Sequence, residues 1–131
     1  MAKLQFELVA PSRLMLSVEA DQVALPGAEG DMGILPGHAP LISALRPGVI
    51  EVEGAEAEES RFYVPGGFAE MANDRLTVLA EEATPMSDLD RGQLEQEIQN
   101  LKEDVADAKD DAARQRAEEK LAGVEQMLAA L

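Results

Sequence analysis

The feature that most constrains the fold is an abrupt change of composition at Pro85. All seven prolines and eight of the ten glycines lie at or before this position. Both residue types interrupt regular helices, whereas the Ala, Glu, Gln, Leu and Lys that dominate the remainder favour them. We therefore predict two parts, a domain over residues 1–86 and a helical segment over residues 87–131.

The first part has the two-residue alternation that is typical of β-strands. Apolar side chains alternate with other residues along 4–8, 50–53 and 76–80. This period places one side of each strand in a core. Pairs of proline and glycine separate the segments as turns. Short strands divided by frequent turns predict an all-β domain, a sandwich or a barrel.

The second part carries two apolar stripes with helical spacing. The first is Leu94, Ile98, Leu101, Val105 and Ala108, and the second is Ala117, Leu121, Val124, Leu128 and Leu131. They are out of phase by roughly 130° around a helix axis, so one straight helix could not bury both against one partner. We predict an antiparallel two-helix hairpin with a turn near residues 107–111. Asp90 with Gln93 predicts one helix start, and Asp110 with Asp111 the other.

Composition excludes several classes of function. The chain has no cysteine and one histidine, so disulfides, cysteine nucleophiles and a structural zinc site are not expected. The formal net charge is -15, which opposes binding to nucleic acid or to anionic lipid. We expect no signal peptide, and no apolar run reaches the about 20 residues of a membrane span. These features indicate a soluble intracellular protein.

Two motifs allow a chemical and a structural interpretation. Gly27, Gly30 and Gly33 could cradle a phosphate through backbone amides, but Glu29 and Asp31 would repel it. Successive β-turns are the better interpretation.

His38 could act as a general base, but the sequence shows no cooperating nucleophile. It lies between Pro36 and Pro40 and is followed by Leu41-Ile42. A polar side chain held between rigid corners favours a loop that contacts another protein. An enzyme that uses His38 with a nearby carboxylate remains the alternative.

Three segments together resemble the epsilon subunit of F-type ATP synthases. They are "PGAEGDMGILPGHAPLISALRPGVIEV", "VPGGFAEMANDRLTVLAEEA" and the Ala/Glu-rich tail, in that order. The resemblance implies a β-sandwich of about ten strands followed by a two-helix hairpin. It also implies a rotor subunit of the central stalk, without catalytic residues or cofactor. Such a subunit binds the gamma subunit and the membrane ring of c subunits, and it couples proton flow to ATP synthesis.

The resemblance also implies partner-binding residues and a location. The loop from Glu29 to Leu41 would lie at the bottom of the sandwich, with Asp31 at a polar c-ring loop. The gamma and c-ring contacts would come from Glu29, Asp31, Met32, His38, Ala39, Pro40 and Leu41. The protein would sit peripherally on the cytoplasmic face of the bacterial inner membrane, held there only through the complex.

In the family the helical arm often acts as a brake. It extends between the alpha and beta subunits and blocks ATP hydrolysis, and some members bind ATP to keep the arm folded. The ATP motif, Ile/Leu-Asp-x-x-Arg-Ala, corresponds here to residues 89–94, with Gln93 and Leu94 in place of Arg and Ala. Asp90 and Arg91 would be its nucleotide-binding residues, but Arg91 stands two residues early, about 200° around the helix. An inhibitory arm and an ATP-sensing subunit are thus alternatives to a purely coupling role.

Overall fold

Within residues 2–131, the computed structural model contains ten strands, a short 3₁₀ helix (Met86–Asp88) and two α-helices, in that order. The strands are β1 (Leu4–Ala10), β2 (Arg13–Ala20), β3 (Gln22–Gly27), β4 (Gly30–Ile34), β5 (Leu41–Leu45), β6 (Gly48–Glu53), β7 (Arg61–Val64), β8 (Gly67–Ala72), β9 (Arg75–Leu79) and β10 (Thr84–Pro85). The helices are α1 (Arg91–Ala106) and α2 (Asp111–Ala130). The predicted fold class, a β-sandwich followed by a two-helix hairpin, is confirmed. The strands and the helices form separate compact units that divide between Ser87 and Asp88.

The strands form one hydrogen-bonded sheet that folds over into two layers. One layer contains β10, β7, β6, β3 and β4, and the other contains β5, β8, β9, β1 and β2. The layers join where β3 passes from β6 to β5, at the pair Gly27 and Leu45. A Cβ atom at Gly27 would lie 2.5 Å from the carbonyl oxygen of Gly30. This close approach restricts the position to glycine.

Each layer turns one side of its strands into a shared core. The predicted inward residues of segments 4–8, 50–53 and 76–80 are all buried there. They pack with residues from the neighbouring strands, chiefly Val23, Leu25, Ile34, Phe62, Val64, Ala69 and Met71. The two-residue alternation therefore identifies the core side of these strands correctly.

Residues 30–34 differ from the expected loop, because they form strand β4. This strand pairs with β3 from Gly27↔Gly30 to Val23↔Ile34, so the chain turns through Ala28 and Glu29 alone. Ile34 is buried, and Asp31 and Gly33 are exposed. Two glycines within five residues hide this alternation in the sequence.

The helical unit has its own small core. Leu94, Ile98 and Leu101 of α1 are buried against Val124 of α2, as antiparallel packing across a short connection requires. Both predicted N-caps are confirmed, because the side chain of Asp90 accepts from Gln93 N at 3.0 Å and that of Asp110 from Ala113 N at 2.7 Å.

Two expected stripe residues fall outside the helices. Ala108 lies in the connection between α1 and α2, and Leu131 follows the end of α2 and is 41% exposed. The apolar spacing continues past the last residue of each helix, since periodicity defines helix ends poorly.

Among the described residues, neither helix combines the length and apolar character that a membrane span requires.

Candidate protein-binding surfaces

The first surface is the tip of the β3–β4 hairpin, residues 28–31, which we call the hairpin tip. Glu29 and Asp31 are exposed. Arg46, which directly follows β5, donates from its guanidinium to both the Gly27 carbonyl and the Asp31 carboxylate. Its backbone amide also donates to Pro26 O at 2.9 Å. Asp31 in the tip is therefore tied to the β5–β6 connection by a charged pair, and the end of β3 is tied to it by hydrogen bonds to its carbonyl oxygens.

Met32, although included among the expected partner contacts, faces the interior. It follows the hairpin tip in β4, opposite Leu25. Its side chain is half-buried and packs against the sandwich core. Its contribution within the protein is therefore packing beside Gly27, where its Cε would lie 3.0 Å from an added Cβ.

The second surface is the turn of residues 35–38, which we call the His38 turn. Pro36 precedes Gly37, whose φ is +83°, and His38 N donates to Leu35 O at 3.1 Å. Proline at the second position and glycine at the third, with this closing bond, define a type II turn. The positive φ at Gly37 explains why the sequence needs glycine there.

The His38 side chain is exposed and lacks the neighbours of a catalytic base. Its Nδ1 lies 2.7 Å from Ala39 O, and within residues 2–131 no carboxylate hydrogen bonds to the ring. The described residues also contain no group of three potential metal ligands. Ala39 and Pro40 are exposed as well, whereas Leu41 is half-buried and packs on the core. The arrangement presents His38, Ala39 and Pro40 to solvent.

The structure places the predicted partner-binding residues in two groups. The hairpin tip is tied to Arg46, directly after the last residue of β5. The His38 turn leads into Leu41, the first residue of the same strand. The two groups thus attach at opposite ends of β5, roughly 13 Å apart at the strand's rise per residue. No local sequence pattern predicts this division of the partner-binding residues into two groups.

A third surface, which sequence reasoning missed, is an exposed apolar row across the outer side of one layer. Cross-strand pairs place its members side by side: Ala44 with Phe68, Phe68 with Leu79, Leu79 with Val9, and Val9 with Leu14. Phe68 is 60% exposed, Leu79 55% and Leu14 53%. We call these five residues the apolar row. Ile42 lies two residues before Ala44 in β5, on the same side of the layer, and is 77% exposed.

A shallow groove of about 620 Å³ runs along the apolar row. Its walls include Val9, Pro11, Pro65, Phe68 and Leu79. Apolar side chains grouped on a sheet surface mark an interaction site rather than a solvated face. The signal for it lies in the sequence, because Leu79 occupies an outward position in the alternation of β9.

The ionisable groups with shifted pKa values lie away from these surfaces. A hydrogen bond from the Ser87 hydroxyl lowers the pKa of Glu59; burial opposes this effect, and the backbone amides of Arg61 and Ser87 add to it. Burial raises the pKa of Tyr63. Neither group is part of the hairpin tip, the His38 turn or the apolar row.

The degraded nucleotide motif lies at the start of α1. Asp90 is the N-cap, and its carboxylate already accepts the Gln93 amide. Arg91 is the first residue of α1 and is exposed. The structure therefore gives Asp90 a helix-capping role within this unit.

Comparison with known proteins agrees with this architecture. The family model of the beta-sandwich domain of the ATP synthase Delta/Epsilon chain matches residues 3–86, and that of the C-terminal domain of the ATP synthase epsilon chain matches residues 90–131. The ATP synthase epsilon chain of Parvibaculum lavamentivorans is 56% identical over 91% of this protein and 90% of its own length. That of Maricaulis maris is 44% identical over 97% and 95%.

A solved structure shows the same fold. A subunit in the OSCP, F1 and c-ring assembly of the Euglena gracilis mitochondrial ATP synthase superposes with a TM-score of 0.84. It is 27% identical, and the match covers 99% of this protein and 82% of that subunit. On the evidence of both family models and of the bacterial relatives, the protein belongs to the family of ATP synthase epsilon chains.

Proposed function

We propose that this protein is a non-catalytic rotor subunit of the ATP synthase central stalk. It binds the gamma subunit and the c ring, and it couples proton flow through the membrane sector to ATP synthesis. Family membership supports the proposal, as does the Euglena assembly, which contains a c-ring together with a subunit of the same fold. The observation that carries it is the exposed apolar row on an otherwise charged domain.

The apolar row suits the gamma subunit. A stalk partner must remain attached under torque, and a sheet surface with several exposed apolar side chains can bury them in a lasting contact. The row spans five strands of one layer, from β5 through β8, β9 and β1 to β2. The domain up to Met86 carries 5 basic and 14 acidic residues, a net charge of -9. A partner with a basic rim around an apolar patch would complement it.

The hairpin tip suits polar loops of the c ring. Glu29 and Asp31 are exposed, and Arg46 stays 43% exposed beside Asp31. Both signs of charge are therefore available for hydrogen bonds to a polar loop. The hydrogen bonds of Arg46, together with Pro36 in the His38 turn and Pro40 after it, lower the ordering cost of binding. In this arrangement the protein sits at the cytoplasmic side of a bacterial inner membrane, held through its partners.

The experiment that tests the proposal adds the full-length protein to a stalk preparation containing gamma and the c ring. We expect stable binding to that preparation and a gain in ATP-driven proton pumping by the assembled enzyme. A protein that binds neither the gamma subunit nor the c ring would overturn the proposal.

A second function, inhibition of ATP hydrolysis by the helical arm, is favoured by the small size of its core. In the helical unit, Val124 is the one buried residue of α2, and the other residues of this helix are exposed or half-buried. So few contacts leave a folded and an extended arm close in energy. Deleting residues 88–131 should then raise hydrolysis by the assembled enzyme, and unchanged hydrolysis would exclude inhibition. Titration calorimetry with Mg-ATP tests the ATP-sensing alternative. We expect no binding heat, and a clear binding heat would favour ATP sensing.

A further inference from the structure

The His38 turn leaves one backbone amide that the turn itself cannot satisfy. In a type II turn the backbone amide of the fourth residue donates to the carbonyl of the first, whereas the amide of the third residue has no acceptor within the turn. That residue is Gly37, and its amide donates to Asp74 Oδ1 at 2.6 Å. A side chain 37 positions away in sequence thus supplies the missing acceptor.

Asp74 stands where the backbone would favour glycine. Asn73 and Asp74 connect β8 to β9 with φ values of +53° and +58°. A two-residue hairpin of this kind prefers asparagine followed by glycine, because an L side chain resists a positive φ. An aspartate at the second position therefore costs the hairpin conformational energy without improving the turn.

The backbone of Asp74 is firmly anchored. Its carbonyl accepts from Gln5 N at 2.8 Å, at the point where β1 runs parallel to β9. Its carboxylate therefore projects from a fixed position at the edge of the sandwich core. A charge-assisted hydrogen bond from such an anchor restrains the group that donates to it.

We propose that Asp74 is the positioning residue of the His38 turn. Its carboxylate holds the Gly37 amide and so fixes how His38, Ala39 and Pro40 are presented to the stalk partners. This inference rests on the proposed function, since it concerns one of the surfaces assigned to those partners. Pro36 stiffens the turn internally, whereas Asp74 fixes the turn relative to the sandwich.

Two substitutions separate positioning from stability. Asp74→Gly removes the carboxylate but suits the positive φ, so the melting temperature of the full-length protein should not fall. Asp74→Asn tolerates the same backbone and retains an acceptor oxygen. Hydrogen exchange of the Gly37 amide, followed by NMR on the full-length protein, should become about tenfold faster in Asp74→Gly. Asp74→Asn should keep most of the protection. Unchanged Gly37 exchange in Asp74→Gly, or equal acceleration in both variants, would overturn the inference.

The assembled enzyme provides the functional test. Asp74→Gly should lower proton pumping per ATP hydrolysed, and Asp74→Asn should restore it. Faster Gly37 exchange with unchanged pumping would show that the tie has no role in presentation, against the inference. If the wild-type protein bound no stalk partner, the proposed function would fail, and the exchange measurement alone would decide whether Asp74 holds the turn.

Discussion

Truncation of Phe68 in the apolar row should weaken binding to the gamma subunit without unfolding the protein. Phe68 is 60% exposed in the free protein. Complete burial of a phenylalanine side chain is worth about 1.5–3 kcal/mol. Docking that covers the exposed 60% would gain about 1–2 kcal/mol from this residue. Phe68→Ala should therefore raise the dissociation constant for gamma about 5- to 30-fold.

The fold should tolerate this change because Phe68 points away from the core. The free energy of unfolding should fall by no more than about 1 kcal/mol, compared with about 3–5 kcal/mol for a buried phenylalanine. Leu131→Ala is the matched control, since it removes an exposed leucine outside the apolar row. Isothermal titration of gamma with each variant gives the dissociation constant, and thermal unfolding gives the stability. A Phe68→Ala variant that binds gamma as the wild type does would refute the assignment of this surface.

Three further predictions concern stability. Ile98→Ala should remove about 2–5 kcal/mol from the core of the helical unit and reduce the helical circular dichroism signal; undiminished helicity would contradict the packing described. Asp110→Ala should lower the stability of α2 by about 1 kcal/mol through loss of its N-cap, visible as an earlier thermal loss of helicity, whereas Asp111→Ala should cost less. For Glu59, the folded-state pKa lies below its ordinary value of 4.5, so the stability it contributes is present above that value and is lost as pH falls through the folded pKa. Glu59→Gln should therefore flatten the acid-side decline in the free energy of unfolding, measured by urea titration, with Glu58→Gln as the control for removing a neighbouring negative charge. Equal curves for Glu59→Gln and the wild type would count against the Ser87 interaction.

Local patterns in the sequence predict most of the fold. The alternation over residues 4–8, 50–53 and 76–80 identifies buried strand positions, because its period matches the pleat of a strand. Asp90 and Asp110 can be recognised as N-caps because each needs only an acceptor and an amide three residues on. The residues that make up each signal lie within a few positions of each other, so the signal can be recognised without knowledge of the tertiary structure.

The candidate surfaces are less accessible to sequence analysis because they depend on contacts between distant segments. Arg46 reaches Asp31 across 15 positions, and Asp74 reaches Gly37 across 37. No local pattern pairs these residues. The apolar row is likewise assembled by strand order, since Val9 and Leu79 become neighbours only through the parallel pairing of β1 with β9.

The measurement that tests the central claim most directly is proton pumping by assembled ATP synthase in vesicles, with and without this protein. If the protein is a coupling subunit of the stalk, enzyme lacking it should hydrolyse ATP with little pumping, and added wild-type protein should restore pumping. Added Phe68→Ala protein should restore less at limiting concentration. Full pumping in the absence of the protein, or no response to its addition, would contradict the account.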